Sequence, residues 1–174
     1  MNKENKSKIK LMTTWAIYIA LVVVFTIINP ISFGPIQLRI ADVLLFLPFF
    51  DKRFIIPALM AVGLSNFFSP VGLIDVIGGV TSAALGYTIF IRIPNRYLGV
   101  TVNSVVSGLW VGTMLHVLWG MPLIATMIYV FIGSEIVSLF AIWFLGKVMI
   151  PRLPMLFEDN RHTMKPLLSY FKRK

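Results

Sequence analysis

Several polar side chains stand inside otherwise apolar stretches of this chain, among them Arg39, Asp42, Asn66, Asp75, His116 and Glu135. A charge at bilayer depth costs roughly 2.5–3.5 kcal/mol even on the lenient insertion scale, so in a lipid-embedded chain such residues mark a place that binds or conducts something. Arg39 and Asp42 are three apart and share a helix face. They either pair with each other and fix their segment, or turn toward a ligand. Asp75 has no cation near it in sequence and reads as a ligand contact, with Arg39 available to it in space. Asn66 offers both donors and acceptors and suits a helix cap equally well. Glu135 divides between capping a neighbour's backbone and touching a ligand. His116, close to Trp119, reads first as a satisfied interfacial histidine, and Trp110 as a packing residue. Three carboxylates against one arginine favour a cationic or N–H-rich ligand over a carboxylate or phosphate. An amidine edge pairs with a carboxylate through two parallel hydrogen bonds, and an amine would use another.

The elements that must position these groups are membrane helices. The chain is 57% hydrophobic and only 13% charged, against roughly a quarter charged in soluble domains. Its 174 residues form one composition regime, so a single transmembrane unit over residues 11–150 is expected, between a basic tail at 1–10 and another at 151–174. There is no cysteine, which excludes disulfides, thiolate metal sites and cysteine nucleophiles. The +9 net charge does not signal nucleic acid, because the basic residues lie at the ends and in short connections and not on one face.

Six apolar segments are expected, over residues 11–28, 37–50, 54–67, 73–91, 98–118 and 123–146. The first is long enough to span and too long for a signal-peptide core. The second is short, carries Pro48, and is expected to lie partly at the interface. Turns are expected at Asn29-Pro30, Gly34-Pro35, Ser69-Pro70-Val-Gly72 and Trp119-Gly-Met-Pro122. Lys and Arg number four in residues 1–10, two in 51–53, two in 92–96 and seven from 147 onward, and none in 29–36, 67–72 or 119–122. Positive residues favour the cytoplasmic side, so six spans with both termini inside satisfy every connection. Under that topology five of the six polar groups fall in the outer leaflet half, with Glu135 halfway along the last span. The expectation is an outward-facing polar pocket closed below by apolar packing.

Catalytic and motor signatures are missing. There is no phosphate-cradling Gly-rich loop ending in Lys-Ser/Thr, no H-E-x-x-H, no G-x-S-x-G and no Ser–His pair on neighbouring segments. The second histidine, His162, lies in the basic tail. No enzyme, cofactor or metal is expected. No inverted repeat of the kind used by many secondary transporters is visible. A small binding protein without a motor needs a partner.

The segments Phe33-Gly-Pro-Ile-Gln-Leu-Arg39 and Asn66-Phe-Phe-Ser-Pro-Val-Gly-Leu-Ile-Asp75, with the Gly-rich helix that follows, resemble the substrate-binding (S) components of energy-coupling factor (ECF) transporters. Within these they are most similar to the QueT family, implicated in uptake of queuosine precursors. The resemblance covers about residues 11–150, and it adds Gln37 to the candidate substrate-binding set of Asp75, Asn66, Arg39, Asp42, Glu135 and His116. The family usually has Glu where this chain has Asp42. The resemblance implies a six-helix bundle in the bacterial plasma membrane, a transmembrane coupling subunit (EcfT) and two cytoplasmic ATPases, and a 7-deazaguanine ligand such as the aminomethyl form or queuine. It also implies that Ala16 and Ala20, four apart on one face of the first helix, form the A-x-x-x-A surface that docks the coupling subunit. Two other readings stay open: an S component for another vitamin, and a six-span scaffold of cell-wall machinery in which the polar residues are purely structural.

Overall fold

The computed structural model describes residues 3–29, 39–90 and 92–152, and these contain helices and turns with no strand. In chain order the helices are α1 (Lys3–Ile28), α2 (Asp42–Leu45), α3 (Ile55–Asn66), α4 (Leu73–Phe90), α5 (Arg96–Trp119), α6 (Leu123–Phe144) and α7 (Ile150–Arg152). Short 3-10 turns cover Leu47–Phe49 and Lys52–Phe54, and a π-helical stretch, Leu145–Met149, carries α6 into α7. Among the described residues four stretches are long and apolar enough to cross a membrane: Lys8–Ile28, Leu73–Phe90, Arg96–Trp119 and Leu123–Arg152. Gln37, the Gly34-Pro35 turn, His162 and most of the C-terminal basic tail lie outside the described residues.

The second expected segment departs most from its reading. It is a one-turn helix followed by 3-10 turns, and residues 46–50 are packed into the protein's core. Leu47, Pro48, Phe49, Phe50 and Phe54 are all buried. Pro48 explains the break, since a proline lacks the N–H that would close onto the carbonyl four residues back, and its ring clashes with that carbonyl. The stranded acceptor is Leu44, and the Tyr18 hydroxyl of α1 donates to it at 3.1 Å. Tyr87 of α4 donates to the next carbonyl, Leu45, at 2.9 Å. Irregular backbone at membrane depth is tolerated only where protein supplies its hydrogen bonds, and two tyrosines do so here. Their rings join the aromatic core: Tyr18 meets Phe54 edge-on at 5.2 Å, and Phe49 packs between Tyr87 and Phe90.

α3 is also short. Its 12 residues extend about 18 Å, less than the roughly 30 Å of hydrocarbon. The charged connection before it is tied down by Asp51, which is 1% exposed and accepts from the Arg53 backbone at 3.0 Å and its guanidinium at 2.8 Å. α3 turns into α4 through Gly72, whose φ of 68° favours glycine. Asn95 caps α5 by accepting from the N–H groups of Tyr97 and Leu98.

α5 and α6 approach closely along a seam of small residues. A Cβ on Gly112 would lie 2.8 Å from the Met127 Cα, and one on Gly108 would meet the Met127 carbonyl at 3.0 Å. Below these glycines the seam is polar: Thr101 donates to Glu135 Oε1 at 2.8 Å, and Ser104 and Ser138 share a hydrogen bond of 3.1 Å. Small residues and interhelical hydrogen bonds are what hold helices together where the hydrophobic effect cannot.

Candidate functional site

The polar side chains of three separate elements meet where α3 ends and α4 begins. Asn66, the last residue of α3 and 1% exposed, is held on both sides of its amide. Its Oδ1 accepts from the Arg39 guanidinium at 2.9 Å, and its Nδ2 donates to the Asp75 carbonyl at 3.1 Å. The same guanidinium stands 3.9 Å from the Asp75 carboxylate, and both side chains are about nine-tenths buried. The room for this amide comes from Gly79, since a Cβ there would overlap the Asn66 Nδ2. Arg39 therefore reaches across to α3 and α4, and its charge also acts on Asp42. Among the described residues the Asp42 side chain has no hydrogen bond or ion pair.

These groups form one end of an internal cavity of about 130 Å³. At one water-sized unit per roughly 10–15 Å³, it has room for about ten non-hydrogen atoms. Arg39, Asp42, Asn66 and Asp75 line it, as do Phe46 and Phe49 from the broken segment. α4 contributes a stripe of Asp75, Gly78, Gly79, Ser82, Ala83 and Tyr87, α5 contributes Asn103, Ser107, Trp110, Val111 and Met114, and α6 contributes Ser134 and Val137. The charge balance is two carboxylates to one guanidinium. Gly78, Trp110 and Met114 also border a larger apolar groove between α4 and α5 on the protein's surface, which holds no charged group.

Two expected site residues are elsewhere. Glu135 does not line the cavity. One residue is about 100° of helix rotation, so Ser134 faces the cavity while Glu135 turns to Thr101 of α5. Its Oε2 is buried with no hydrogen-bond partner among the described residues. His116 is exposed and its Nδ1 lies 2.6 Å from the Met121 carbonyl, where it ties down the α5–α6 turn beside Gly120 at φ 65°. It is not among the residues that line the cavity.

Sequence reasoning missed Asn103, Ser107, Ser134, Ser82 and Tyr87, and it read Trp110 as mainly a lipid-facing or packing residue. An amide in the middle of an apolar span was a usable signal at Asn103. The serines gave none, because serine is common at helix interfaces in membranes.

A set of membrane-length helices closed around a polar cavity defines a multi-pass helical membrane protein. Its sequence matches the profile of the QueT transporter family over residues 9–149, and the chain belongs to that family, one of transporters and not of enzymes. It is 36% identical over 98 residues to the queuosine precursor transporter QueT of Lactococcus lactis subsp. cremoris (strain MG1363). That match spans 53% of this chain and 58% of the relative, less than two thirds of the relative's length. No solved structure matches the chain.

Proposed function

We propose that this chain is the substrate-binding membrane subunit of an ECF-type importer, and that it takes up a queuosine precursor, a 7-deazaguanine such as the aminomethyl form or queuine. The observation that carries the reading is a cavity lined by two carboxylates, Asp42 and Asp75, against one guanidinium, Arg39, together with aromatic rings, hydroxyls and two amides. Two carboxylates against one guanidinium leave a ligand ammonium as the group that would balance the excess. Phe46 and Phe49 offer apolar faces to a flat ring. The Lactococcus relative is named for a precursor of this kind.

In this reading the chain crosses the bacterial plasma membrane six times with both termini cytoplasmic. The second and third crossings are the short pieces around α2 and α3, the first of which takes backbone partners from α1 and α4. The cavity end at Arg39, Asn66 and Asp75 faces outward. The chain holds no nucleotide-binding loop, so energy comes from two cytoplasmic ATPases through the transmembrane coupling subunit EcfT. Ala16 and Ala20 are exposed on α1, two residues and so about 200° away from the buried Tyr18 and Val22, which leaves them on an open face for that partner.

Equilibrium binding to the purified full-length protein tests the substrate. Saturable binding of aminomethyl-deazaguanine or queuine, with guanine and unrelated vitamins binding at least about tenfold more weakly, supports the reading. Absence of binding by both precursors overturns it.

A further inference from the structure

Two glycines of α4, Gly79 and Gly86, are seven residues apart and therefore on one face. Each makes room for an asparagine amide from a neighbouring helix. A Cβ on Gly79 would overlap the Asn66 amide, and a Cβ on Gly86 would overlap Asn103 Oδ1. The first amide is fully engaged by Arg39 and the Asp75 carbonyl. The second has no hydrogen-bond partner among the described residues, although it lines the cavity.

The contrast extends to the hydroxyls around it. Thr101, Ser104, Thr126 and Ser138 bond to helix carbonyls or to each other, as hydroxyls in apolar surroundings do. Ser107, one turn along α5 from Asn103, and Ser134 on α6 make no such bond, and both line the cavity. Hydroxyls and an amide left unpaired in this one place, and aimed at one hollow, form a ready hydrogen-bonding surface. It lies at the opposite end of the cavity from Asp75, because the lining stripe of α4 from Asp75 to Tyr87 extends about 18 Å.

A primary amide presents an acceptor and two donors in one plane. The complement is a lactam edge, with a ring N–H donating to the amide oxygen and a ring carbonyl accepting from its NH₂. We infer that Asn103, seated against Gly86, is a specificity-determining residue that reads the lactam edge of the bound base. Ser107 and Ser134 take its flanking polar atoms, and Gly86 is a positioning residue that lets the amide lie flat against α4. The inference rests on the deazaguanine reading above, and it assigns the base to the end of the cavity at Asn103 and Gly86.

The test is equilibrium binding to the full-length protein of two probes, aminomethyl-deazaguanine and its analogue carrying an amino group in place of the ring carbonyl. Wild type is expected to prefer the lactam probe by at least about tenfold. Asn103→Asp keeps the side chain's shape against Gly86 but loses the donor. It is expected to remove or reverse the preference, with thermal unfolding confirming an intact fold. Gly86→Ala displaces the amide without touching the ligand and is expected to compress the preference to within about threefold. If wild type binds both probes equally, or if Asn103→Asp keeps the wild-type preference, the inference is overturned while the precursor reading stands. If wild type binds neither probe, the precursor reading falls and this inference with it.

Discussion

The Tyr18 hydroxyl donates to the Leu44 carbonyl, the acceptor that Pro48 leaves without its helical partner. One side chain of α1 thus replaces a missing backbone bond in a different element, and the aromatic core closes over the repair. Tyr18 is 5% exposed and Tyr87, which serves Leu45, is 6% exposed. Tyr18→Phe keeps the ring against Phe54 and removes only the donor. Thermal unfolding in detergent is expected to show a loss of about 1–2 kcal/mol, in the range for a buried carbonyl left unpaired. Tyr18→Phe with Tyr87→Phe should cost more than the sum of the two singles, because the two acceptors are adjacent.

Asp42 lines the cavity and makes no hydrogen bond among the described residues. Asp42→Asn is therefore expected to weaken binding of aminomethyl-deazaguanine by about tenfold or more, near 1.4 kcal/mol. A precursor lacking the amine should lose less. The fold should be unaffected, since no intramolecular bond is removed. Equilibrium binding with both ligands checks this, and equal losses for the two would place the amine away from Asp42.

Arg39, Asn66 and Asp75 were legible because charge and amide groups are conspicuous in an apolar chain, and their meeting needed only that three helix ends lie together. Which of them pair was not legible. Arg39 and Asp42 are close in sequence, yet Arg39 reaches α3 and α4, a choice made by how the broken segment is set into the core. Glu135 failed for a similar reason. Depth along a helix follows from sequence, but rotation about its axis does not, and one residue's turn separates the Ser134 face from the Glu135 face. The second segment's apolar run resembled a span, and the consequence of Pro48 for Leu44 was present in the sequence. The tyrosines that compensate for it come from residues 26 and 42 positions away from their acceptors.

Glu135→Gln tests the corrected placement. Gln retains an acceptor for Thr101 and removes the charge from a carboxylate whose Oε2 is buried and unpaired. Ligand affinity is expected to stay within about threefold of wild type, and thermal stability should not fall, since an uncompensated charge is being removed. A tenfold loss of affinity would put Glu135 back in the site.

Gly79→Ala drives a methyl into the Asn66 amide and so disturbs its bonds to Arg39 and Asp75 together. Overpacking of this kind costs about 1–3 kcal/mol. Asn66→Ala in the same chain gives the methyl space but leaves the Arg39 and Asp75 groups short of partners. The double variant is expected to be more stable than the sum of the singles predicts, read as a positive coupling in thermal unfolding. Strict additivity would show that the amide does not occupy the Gly79 hollow.

Ala16 and Ala20 lie on the open face of α1, away from Tyr18, Val22 and Thr26, which are buried at four-residue spacing. Enlarging a residue on that face does not touch the cavity. Ala16→Leu is therefore expected to leave precursor affinity and thermal stability unchanged, while keeping a partner helix from the close approach that small residues allow. Uptake of labelled precursor into cells or proteoliposomes containing the coupling subunit and ATPases should fall to background. Normal uptake by a variant that binds normally would show that the coupling subunit docks elsewhere, and weakened binding would show that α1 shapes the cavity from outside.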